Sequence, residues 1–237
     1  MASHAPLRAA LARLDLFAAA TPADLEAGAA LAVERRYGDG ETLFSRGDPG
    51  EGMLVVLSGR VRLSIVSNEG RELILREAEQ GDVIGEIAVL DGGKRSADAV
   101  AVGPVVAGFV GMPAFSRLLE ERPALGLPIM RVLCARLRDT TDQLESIALY
   151  PLEARLARFL LWQSKRHGRT RSDGARIVPI TISQSAIASF VGASRPKINR
   201  LLAAFEETGA IQRRGALVQC DVPALQRLAM MEAGDRG

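Results

Sequence analysis

A short segment near the middle of the sequence combines the residue types that a small cyclic phosphate ester requires. Residues 85–97 read GEIAVLDGGKRSA, so the carboxylate of Glu86 is followed by a glycine-rich connector and then by Arg95 and Ser96. The planar guanidinium of Arg95 presents a fork of N–H donors that fits a phosphate diester, and Ser96 and the backbone N–H groups of Ser96 and Ala97 add donors. An ionised carboxylate only accepts hydrogen bonds, so Glu86 suits a sugar hydroxyl instead. The segment therefore predicts that the chain senses a small molecule.

The composition limits the class of protein. With 237 residues, 48% of them hydrophobic and 24% charged, the chain can form one large globular domain or two modest ones. No apolar run is long enough to span a bilayer, and the N-terminus lacks the layout of a signal peptide. The two cysteines, Cys134 and Cys220, lie far apart and fit a reducing compartment. We expect a cytoplasmic protein with no membrane partner.

Charge is distributed unevenly along the chain. Residues 151–237 contain 14 Lys and Arg against 7 Asp and Glu, whereas the preceding residues are net acidic and the whole chain carries a formal charge of +2. A basic end on an acidic body indicates a polyanionic partner, although an arginine-rich solvated loop would give the same imbalance.

Residues 36–110 have the texture of an antiparallel β-domain. Short β-rich runs alternate there with turn signals such as Ser58-Gly59 and Gly81-Asp82, which predicts a barrel, roll or sandwich. Helices are predicted on the N-terminal side, at residues 7–19 and 22–33. The piece from Ile87 to Leu90 is short enough for a single helical turn.

A heptad pattern follows the β-rich region. Positions that are apolar except for one threonine recur at alternating spacings of three and four, which predicts a helix that pairs with a second copy of itself. These positions are Met130, Leu133, Leu137, Thr140, Leu144 and Ile147. A hydroxyl group in such a seam lowers the stability of the helix pair unless the group forms a hydrogen bond. Thr140 or Thr141 therefore either bonds back to its own helix or contacts a polar ligand edge at the dimer seam. Tyr150-Pro151 breaks the pattern and predicts a hinge.

The next recognisable pattern is a helix, a tight turn and a second helix. Ser183 is placed to cap the first helix, Gly192 suits the turn, and Ser194 is placed to cap the second helix. The second helix has an apolar stripe at Ile198, Leu201, Leu202 and Phe205. Its opposite side is rich in hydrogen-bond donors, as a helix that enters the major groove of DNA must be.

Each polar residue of this unit has a predicted role on DNA. Arg195 and Arg200 are natural partners of guanine O6 and N7, and Lys197 or Asn199 can contact bases or phosphates. Candidates for phosphate contacts are Ser183, Gln184 and Ser194. Residues 209–218 predict a small hairpin that would form a wing.

The layout resembles the CRP/FNR family of bacterial transcription regulators, and especially its rhizobial cAMP-receptor-like members. The resemblance implies an α+β chain in three parts, with a cyclic-nucleotide-binding, jelly-roll-like β-roll and its N-terminal helices over residues 1–112. A long coiled-coil dimerisation helix and hinge would occupy residues 113–150, and a winged helix-turn-helix would occupy residues 151–237. RNA polymerase is then a plausible further partner.

The same resemblance implies roles for individual residues. Arg95 and Ser96 would hold the cyclic phosphate and Glu86 the ribose 2′-hydroxyl, while Arg136, Thr140 and Thr141 fall where the family's cAMP receptor contacts the base. The full set of expected ligand-binding residues is Leu75, Gly85, Glu86, Arg95, Ser96, Ala97, Arg136, Thr140 and Thr141. The chain departs from the family's cAMP receptor at Pro196, which replaces an acidic residue and cannot accept a hydrogen bond from cytosine.

The sequence lacks the residues that other sensor proteins and enzymes of related folds require. Two isolated cysteines cannot hold an Fe–S cluster, and the only histidines, His4 and His167, lie outside the β-rich region where haem or a cupin metal would be bound. The segment DGGKRS lacks the spacing of a P-loop. No catalytic set is evident, so we expect no enzyme and no metal, haem or Fe–S cofactor.

The expected function is that of a dimeric transcription regulator that binds a palindromic DNA site under allosteric control by a cyclic nucleotide. cAMP is favoured by the resemblance, and cGMP is the alternative because Ser96 and Thr140 could serve either base. Two other interpretations stay open. One is a regulator that binds DNA without a ligand or in response to cyclic di-GMP, and the other is a cyclic-nucleotide-binding regulatory subunit of an enzyme.

Overall fold

The computed structural model describes residues 21–170, 176–179, 183–214 and 217–231. Within these ranges the chain divides into two compact units. The first unit comprises residues up to 70 together with 74–139, and the second comprises residues 71–73 together with 140 onward. The helix predicted at residues 7–19 and the segment 171–175 lie outside the described residues.

The first unit is a β-roll with helices before its first strand and after its last strand. A six-stranded sheet has the order β1-β6-β3-β4, with β2 paired to β6 and β5 paired to β3. Its elements in chain order are helix α1 (Pro22–Ala30), strands β1 (Ala32–Tyr37), β2 (Thr42–Phe44), β3 (Gly52–Val66), β4 (Glu72–Ala78) and β5 (Val83–Ile84), helix α2 (Glu86–Asp91), strand β6 (Asp98–Gly111) and helix α3 (Met112–Glu121). The antiparallel β-domain and the short helical turn after Glu86 are confirmed.

Two strands of the roll are longer than the sequence predicted. The runs on either side of Ser58-Gly59 form one strand, β3, and the runs on either side of Gly103 form one strand, β6. Gly59 has a φ of +86°, and the pairing with β6 shifts register on both sides of Ser58. A glycine in the left-handed region serves a bulge as well as a turn, so the turn predicted at Ser58-Gly59 is wrong.

The first helix is shorter than predicted. It ends at Ala30 rather than residue 33, because the chain from Ala32 onward pairs with β6, with Ala32 opposite Val110 and Tyr37 opposite Val105. Backbone pairing to a central strand overrides the local preference of this alanine-rich segment for a helix.

The apolar side chains of the roll form two buried groups. One lies where strands β3 and β6 meet helices α2 and α3, and includes Val55, Val110, Phe115 and Leu118. The other lies inside the roll and includes Leu54, Val61, Ile84 and Ala99. These groups include residues of β5 and α2, so they fix the backbone on both sides of Gly85 and Glu86, two of the predicted ligand residues.

The long helix α4 (Gly126–Leu149) follows a short 3-10 turn at Pro123–Leu125. It contains all six predicted seam positions. Met130, Leu137 and Leu144 are 55%, 68% and 66% exposed in the single chain, which therefore covers these apolar side chains only in part.

The second unit combines helices with a small sheet of order β7-β8-β10-β9. After α4, its elements are helix α5 (Leu152–His167), strands β7 (Arg169–Thr170) and β8 (Arg176–Pro179), helices α6 (Gln184–Val191) and α7 (Arg195–Glu207), strands β9 (Ile211–Arg214) and β10 (Leu217–Cys220), and helix α8 (Val222–Ala229). The predicted helix, turn, helix and hairpin are thereby confirmed as structural elements.

Candidate functional site

Arg95 is held by main-chain carbonyls of the roll. Its Nη1 donates to the carbonyl oxygen of Gly85 at 2.8 Å and its Nη2 to that of Gly52 at 2.5 Å. Its guanidinium carbon lies 4.4 Å from the ring centroid of Phe44, a cation–π contact. Gly85 has a φ of +74°, and a Cβ there would collide with Nη1 of Arg95, so glycine is required on two counts.

The Arg95 side chain is a buried cation with an unsatisfied donor. The residue is 7% exposed, and its Nε–H is buried without a hydrogen-bond partner among the described residues. Burial lowers its pKa, while the negative charges of Asp48 and Glu51 act in the opposite direction. An anion that accepted from this guanidinium would satisfy the donor and balance the charge.

The backbone of Arg95 is also fixed. Its N–H donates to the carbonyl of Asp48 at 2.9 Å, and its carbonyl accepts from the N–H of Gly47 at 2.9 Å. The preceding residue, Lys94, forms an isolated antiparallel β-bridge with Pro49. The arginine is therefore positioned by long-range contacts and not only by the connector that precedes it.

Glu86, the other end of the predicted motif, pairs with an arginine from the long helix. Nη1 of Arg136 forms an ion pair with Oε1 of Glu86, and Nη2 of Arg136 donates to the carbonyl of Val83 at 2.6 Å. The Glu86 and Arg136 side chains are only 12% and 19% exposed. The two residues that the sequence assigned to ribose and base are thus brought together in the first unit.

Arg76 is a member of this group that the sequence analysis missed. Its Nη2 donates to the same Val83 carbonyl at 2.9 Å, and its Nη1 lies 3.5 Å from Oδ2 of Asp82. Burial and the charge of Arg76 lower the pKa of Arg136 to about 10, against the influence of Asp82. The available signal was an arginine directly after Leu75, a predicted ligand residue of the same strand.

The other predicted ligand residues have mixed environments. Ser96 is exposed, Ala97 is buried and Leu75 is half-buried, all within the first unit. Thr140 and Thr141 are exposed residues of α4 that belong to the second unit. Their role as base contacts stays a prediction.

The helix-turn-helix is built from local signals. The Ser183 side chain accepts from the N–H of Ala186 at 3.1 Å and so caps α6, and Gly192 ends α6 with a φ of +68°. Ser194 occupies the N-cap position of α7, but its side chain makes no capping hydrogen bond. The predicted cap at Ser194 is therefore wrong in this detail, and Pro196 in the first turn removes one N–H that would need a cap.

The exposed side of α7 contains the predicted DNA-reading residues. Ile198, Leu202 and Phe205 are buried, at 0%, 2% and 4% exposed, and so hold the helix against the unit. Arg195, Lys197 and Arg200 are exposed on the other side. Asn199 is only partly exposed, and its Oδ1 is buried without a hydrogen-bond partner among the described residues. Ser183 is exposed and Gln184 half-buried at the start of α6.

The predicted wing is tied to α7 by an ion pair. Strands β9 and β10 pair with Arg214 opposite Leu217, and residues 215–216 at the tip lie outside the described residues. Glu206 accepts from the backbone N–H of Arg213 at 3.2 Å and from its Nη2 at 2.5 Å. These hydrogen bonds lower the pKa of Glu206 and raise that of Arg213. No pattern in the sequence predicts this connection.

The end of α4 packs onto the helix-turn-helix within the second unit. Arg155 donates from Nε to the carbonyl of Tyr150 at 3.0 Å and from Nη1 to that of Val191 at 3.2 Å. Nε2 of Gln143 lies 3.5 Å from the carbonyl oxygen of Phe190. One arginine therefore connects the break after α4 to the last residue of α6.

Across the part of the chain that the structure describes, no group of three or more His, Cys, Asp and Glu residues could hold a metal ion. The same residues include no helix long and apolar enough to cross a membrane.

Comparison with known proteins agrees with both units. Residues 34–122 match the family described as cyclic nucleotide-binding domain, and residues 154–228 match the Crp-like helix-turn-helix domain. The chain is similar to the CRP-like cAMP-activated global transcriptional regulator of Mycobacterium tuberculosis (strain ATCC 25618 / H37Rv), with 31% identity over 208 residues, 88% of this chain and 92% of that protein. It is 32% identical over 174 residues to the global nitrogen regulator of Synechococcus elongatus (strain ATCC 33912 / PCC 7942 / FACHB-805), which covers 73% of this chain and 78% of that protein.

A solved structure extends the likeness to the fold. A CooA mutant from Carboxydothermus hydrogenoformans superposes with a TM-score of 0.74 at 21% identity, over 84% of this chain and 88% of that one. The sequence relatives and the two matched domains together identify a transcription regulator and not an enzyme. With a cyclic-nucleotide-binding domain joined to a Crp-like helix-turn-helix, the chain belongs to the CRP/FNR family of transcription regulators.

Proposed function

We propose that this regulator is a homodimer that binds a palindromic DNA site in response to a cyclic nucleotide. cAMP is the favoured ligand because the M. tuberculosis relative is named as cAMP-activated, and cGMP is the alternative. The observation that carries the proposal is the buried Arg95 guanidinium, whose Nε–H lacks a partner among the described residues. Nη1 of the same group donates to the carbonyl of Gly85, the residue before Glu86. A buried cation with a spare donor is the chemistry that a phosphate diester completes.

In the proposed complex the cyclic phosphate accepts from Arg95 and from the backbone N–H groups of Ser96 and Ala97. The ribose 2′-hydroxyl donates to Glu86, which must then share or release its ion pair with Arg136. Thr140 and Thr141 are the proposed hydroxyl contacts to the base. Ligand binding thereby changes a contact of the long helix α4, because Arg136 belongs to that helix.

Dimerisation is proposed to occur along α4. The exposed side chains of Met130, Leu137 and Leu144 are seven residues apart, so they form one stripe along the helix. A second copy of the same helix would cover this stripe by heptad packing. The pairing is isologous, since each helix supplies the same residues to the other.

DNA recognition is proposed to use the exposed side of α7. Arg195 and Arg200 would donate to guanine edges, with Lys197 and Asn199 on bases or phosphates and Ser183, Gln184 and Ser194 on phosphates. In a two-fold dimer the two α7 helices must enter successive major grooves, about 34 Å apart. The excess of basic residues in 151–237 supports the approach to DNA.

Ligand control requires that the nucleotide bind the DNA-competent arrangement better than the inactive one. Ordinary coupling of this kind amounts to about 1–3 kcal/mol. The break at Tyr150-Pro151 is the proposed hinge. Arg155 connects this break to Val191 of α6, so a change in the end of α4 can act directly on the helix-turn-helix.

The decisive experiment is a calorimetric titration of the full chain with cAMP, cGMP and cyclic di-GMP. Fluorescence anisotropy with a labelled palindromic duplex, with and without each ligand, then measures coupling. Binding of a cyclic mononucleotide together with tighter DNA binding in its presence supports the proposal. Response to cyclic di-GMP alone, or DNA binding unaffected by any ligand, contradicts the ligand assignment. Nucleotide binding without any DNA binding would favour a regulatory subunit of an enzyme.

A further inference from the structure

Arg76 and Arg136 converge on one backbone carbonyl in the β-roll. Nη2 of Arg76 and Nη2 of Arg136 lie 2.9 Å and 2.6 Å from the carbonyl oxygen of Val83. The two side chains are 26% and 19% exposed, so the repulsion between them is only partly screened by solvent. Asp82 and Glu86 offset part of this positive charge. A pair of neighbouring guanidinium groups favours a ligand edge that presents only acceptors.

A series of contacts leads from Arg95 to Arg76. Arg95 donates to the carbonyl of Gly85, the next residue Glu86 pairs with Arg136, and Arg136 shares the carbonyl of Val83 with Arg76. In a 3′,5′-cyclic nucleotide the ribose separates the phosphate from the base. A ligand with its phosphate at Arg95 and its ribose at Glu86 therefore directs its base toward Arg76.

We propose that Arg76 reads the base, and that it supplies affinity for cyclic nucleotides of 6-oxopurines. The N7 and O6 atoms of guanine are both acceptors, whereas adenine presents the N7 acceptor beside an amino donor. A guanidinium only donates, so it can bind the guanine edge through two hydrogen bonds but meets the adenine amino group donor to donor. This inference rests on the proposed function, because it takes the phosphate to lie at Arg95.

The test compares three ligands in calorimetric titrations of the full chain. Cyclic IMP keeps the O6 and N7 edge of cGMP but lacks the 2-amino group, so it separates a contact of Arg76 from a contact of Ser96 to that amino group. Arg76→Met is expected to weaken cGMP and cyclic IMP binding about tenfold, the scale of a bidentate base contact, and to change cAMP binding less than about threefold. The matched control Arg117→Met removes an exposed arginine of α3 and is expected to change none of the three affinities.

Several outcomes would overturn the inference. Unchanged affinities in Arg76→Met, or equal weakening of all three ligands, would show that Arg76 does not read the base. Arg76→Lys keeps the charge without the planar fork and is expected to show the same selective loss, so it serves if the methionine variant does not fold. A wild-type chain that binds no cyclic nucleotide contradicts the proposed function itself, whereas one that binds cAMP but neither 6-oxopurine contradicts only the role of Arg76.

Discussion

Arg136 of the long helix forms an ion pair with Glu86, the first residue of α2, and both side chains are largely buried. The carboxylate proposed to accept from ribose is therefore already engaged by a residue of the long helix α4. A ligand that takes over part of this contact changes the environment of α4 directly. The ion pair is thus a direct connection between the candidate pocket and the helix that would transmit its state.

The Glu86–Arg136 pair can be measured with a double-mutant cycle. Glu86→Gln and Arg136→Met are each expected to lower the free energy of unfolding by about 1–3 kcal/mol, because each leaves a largely buried charge without its partner. The double variant is expected to lose less than the sum, by a coupling energy of about 0.5–3 kcal/mol. Urea denaturation followed by circular dichroism provides all four values. Additive losses would mean that the two charges do not interact in solution.

Arg95→Leu is expected to abolish cyclic-nucleotide binding and ligand-stimulated DNA binding while leaving a folded dimer. The same change frees the carbonyls of Gly85 and Gly52, so stability is expected to fall by about 1–3 kcal/mol. Calorimetry measures the affinity, and sedimentation velocity checks the folded dimer. Nucleotide affinity equal to that of the wild type in Arg95→Leu would refute the pocket assignment.

Replacement of two exposed seam residues is expected to separate the dimer. The double variant Leu137→Lys, Leu144→Lys places like charges at facing positions of the two helices. Each leucine side chain is already about two-thirds exposed in the single chain, so we expect the fold of the single chain to be unaffected. Sedimentation equilibrium is expected to show monomers. Fluorescence anisotropy is expected to show that the variant no longer binds the palindromic duplex. Asp142→Lys, on the same helix but outside the seam, is the control and is expected to stay dimeric. A dimer in the double variant would place the interface elsewhere.

Arg200→Ala is expected to weaken binding to the specific palindrome by about 1–3 kcal/mol, the scale of a bidentate guanine contact. Arg200 is exposed on α7, so the folded state is expected to keep its stability. Anisotropy titrations with the palindrome and with a scrambled duplex separate the two kinds of contact. An equal loss on both duplexes would make Arg200 a phosphate contact, and Arg117→Ala on α3 controls for net charge.

The Glu206–Arg213 pair predicts a pH dependence of the wing. Hydrogen bonds from Arg213 hold the pKa of Glu206 below its usual value of 4.5, so the folded state prefers the ionised carboxylate. The stability that this pair adds is therefore fully present above pH 4.5 and is lost as the pH falls through the lowered pKa. Thermal unfolding of the wild type and Glu206→Gln is expected to differ equally at pH 7 and pH 5 and to converge at more acid pH. If the unfolding temperatures of the two proteins still differ at more acid pH, the effect of the substitution comes from side-chain size and not from the ion pair.

The helix-turn-helix could be predicted in detail because its signals are local. Ser183 as a cap, Gly192 in the left-handed region and the buried stripe that contains Ile198 each depend on a few consecutive residues. Strand boundaries in the roll could not be predicted equally well. Gly59 and Gly103 have positive φ in the middle of paired strands, and a glycine of that kind looks the same in a sequence whether it forms a turn or a bulge.

Sequence patterns alone indicate the residue types of the site, their spacing within residues 85–97, the seam of α4 and the donor-rich side of α7. The pairing of Glu86 with Arg136 and the approach of Arg76 to Arg136 follow from tertiary packing instead. Val83 and Arg136 are 53 residues apart in the chain, and they meet because a strand of the roll and the long helix pack together. Local patterns arise from the periodicity of one element, whereas such a contact depends on the packing of two elements, so no spacing in the sequence reveals it.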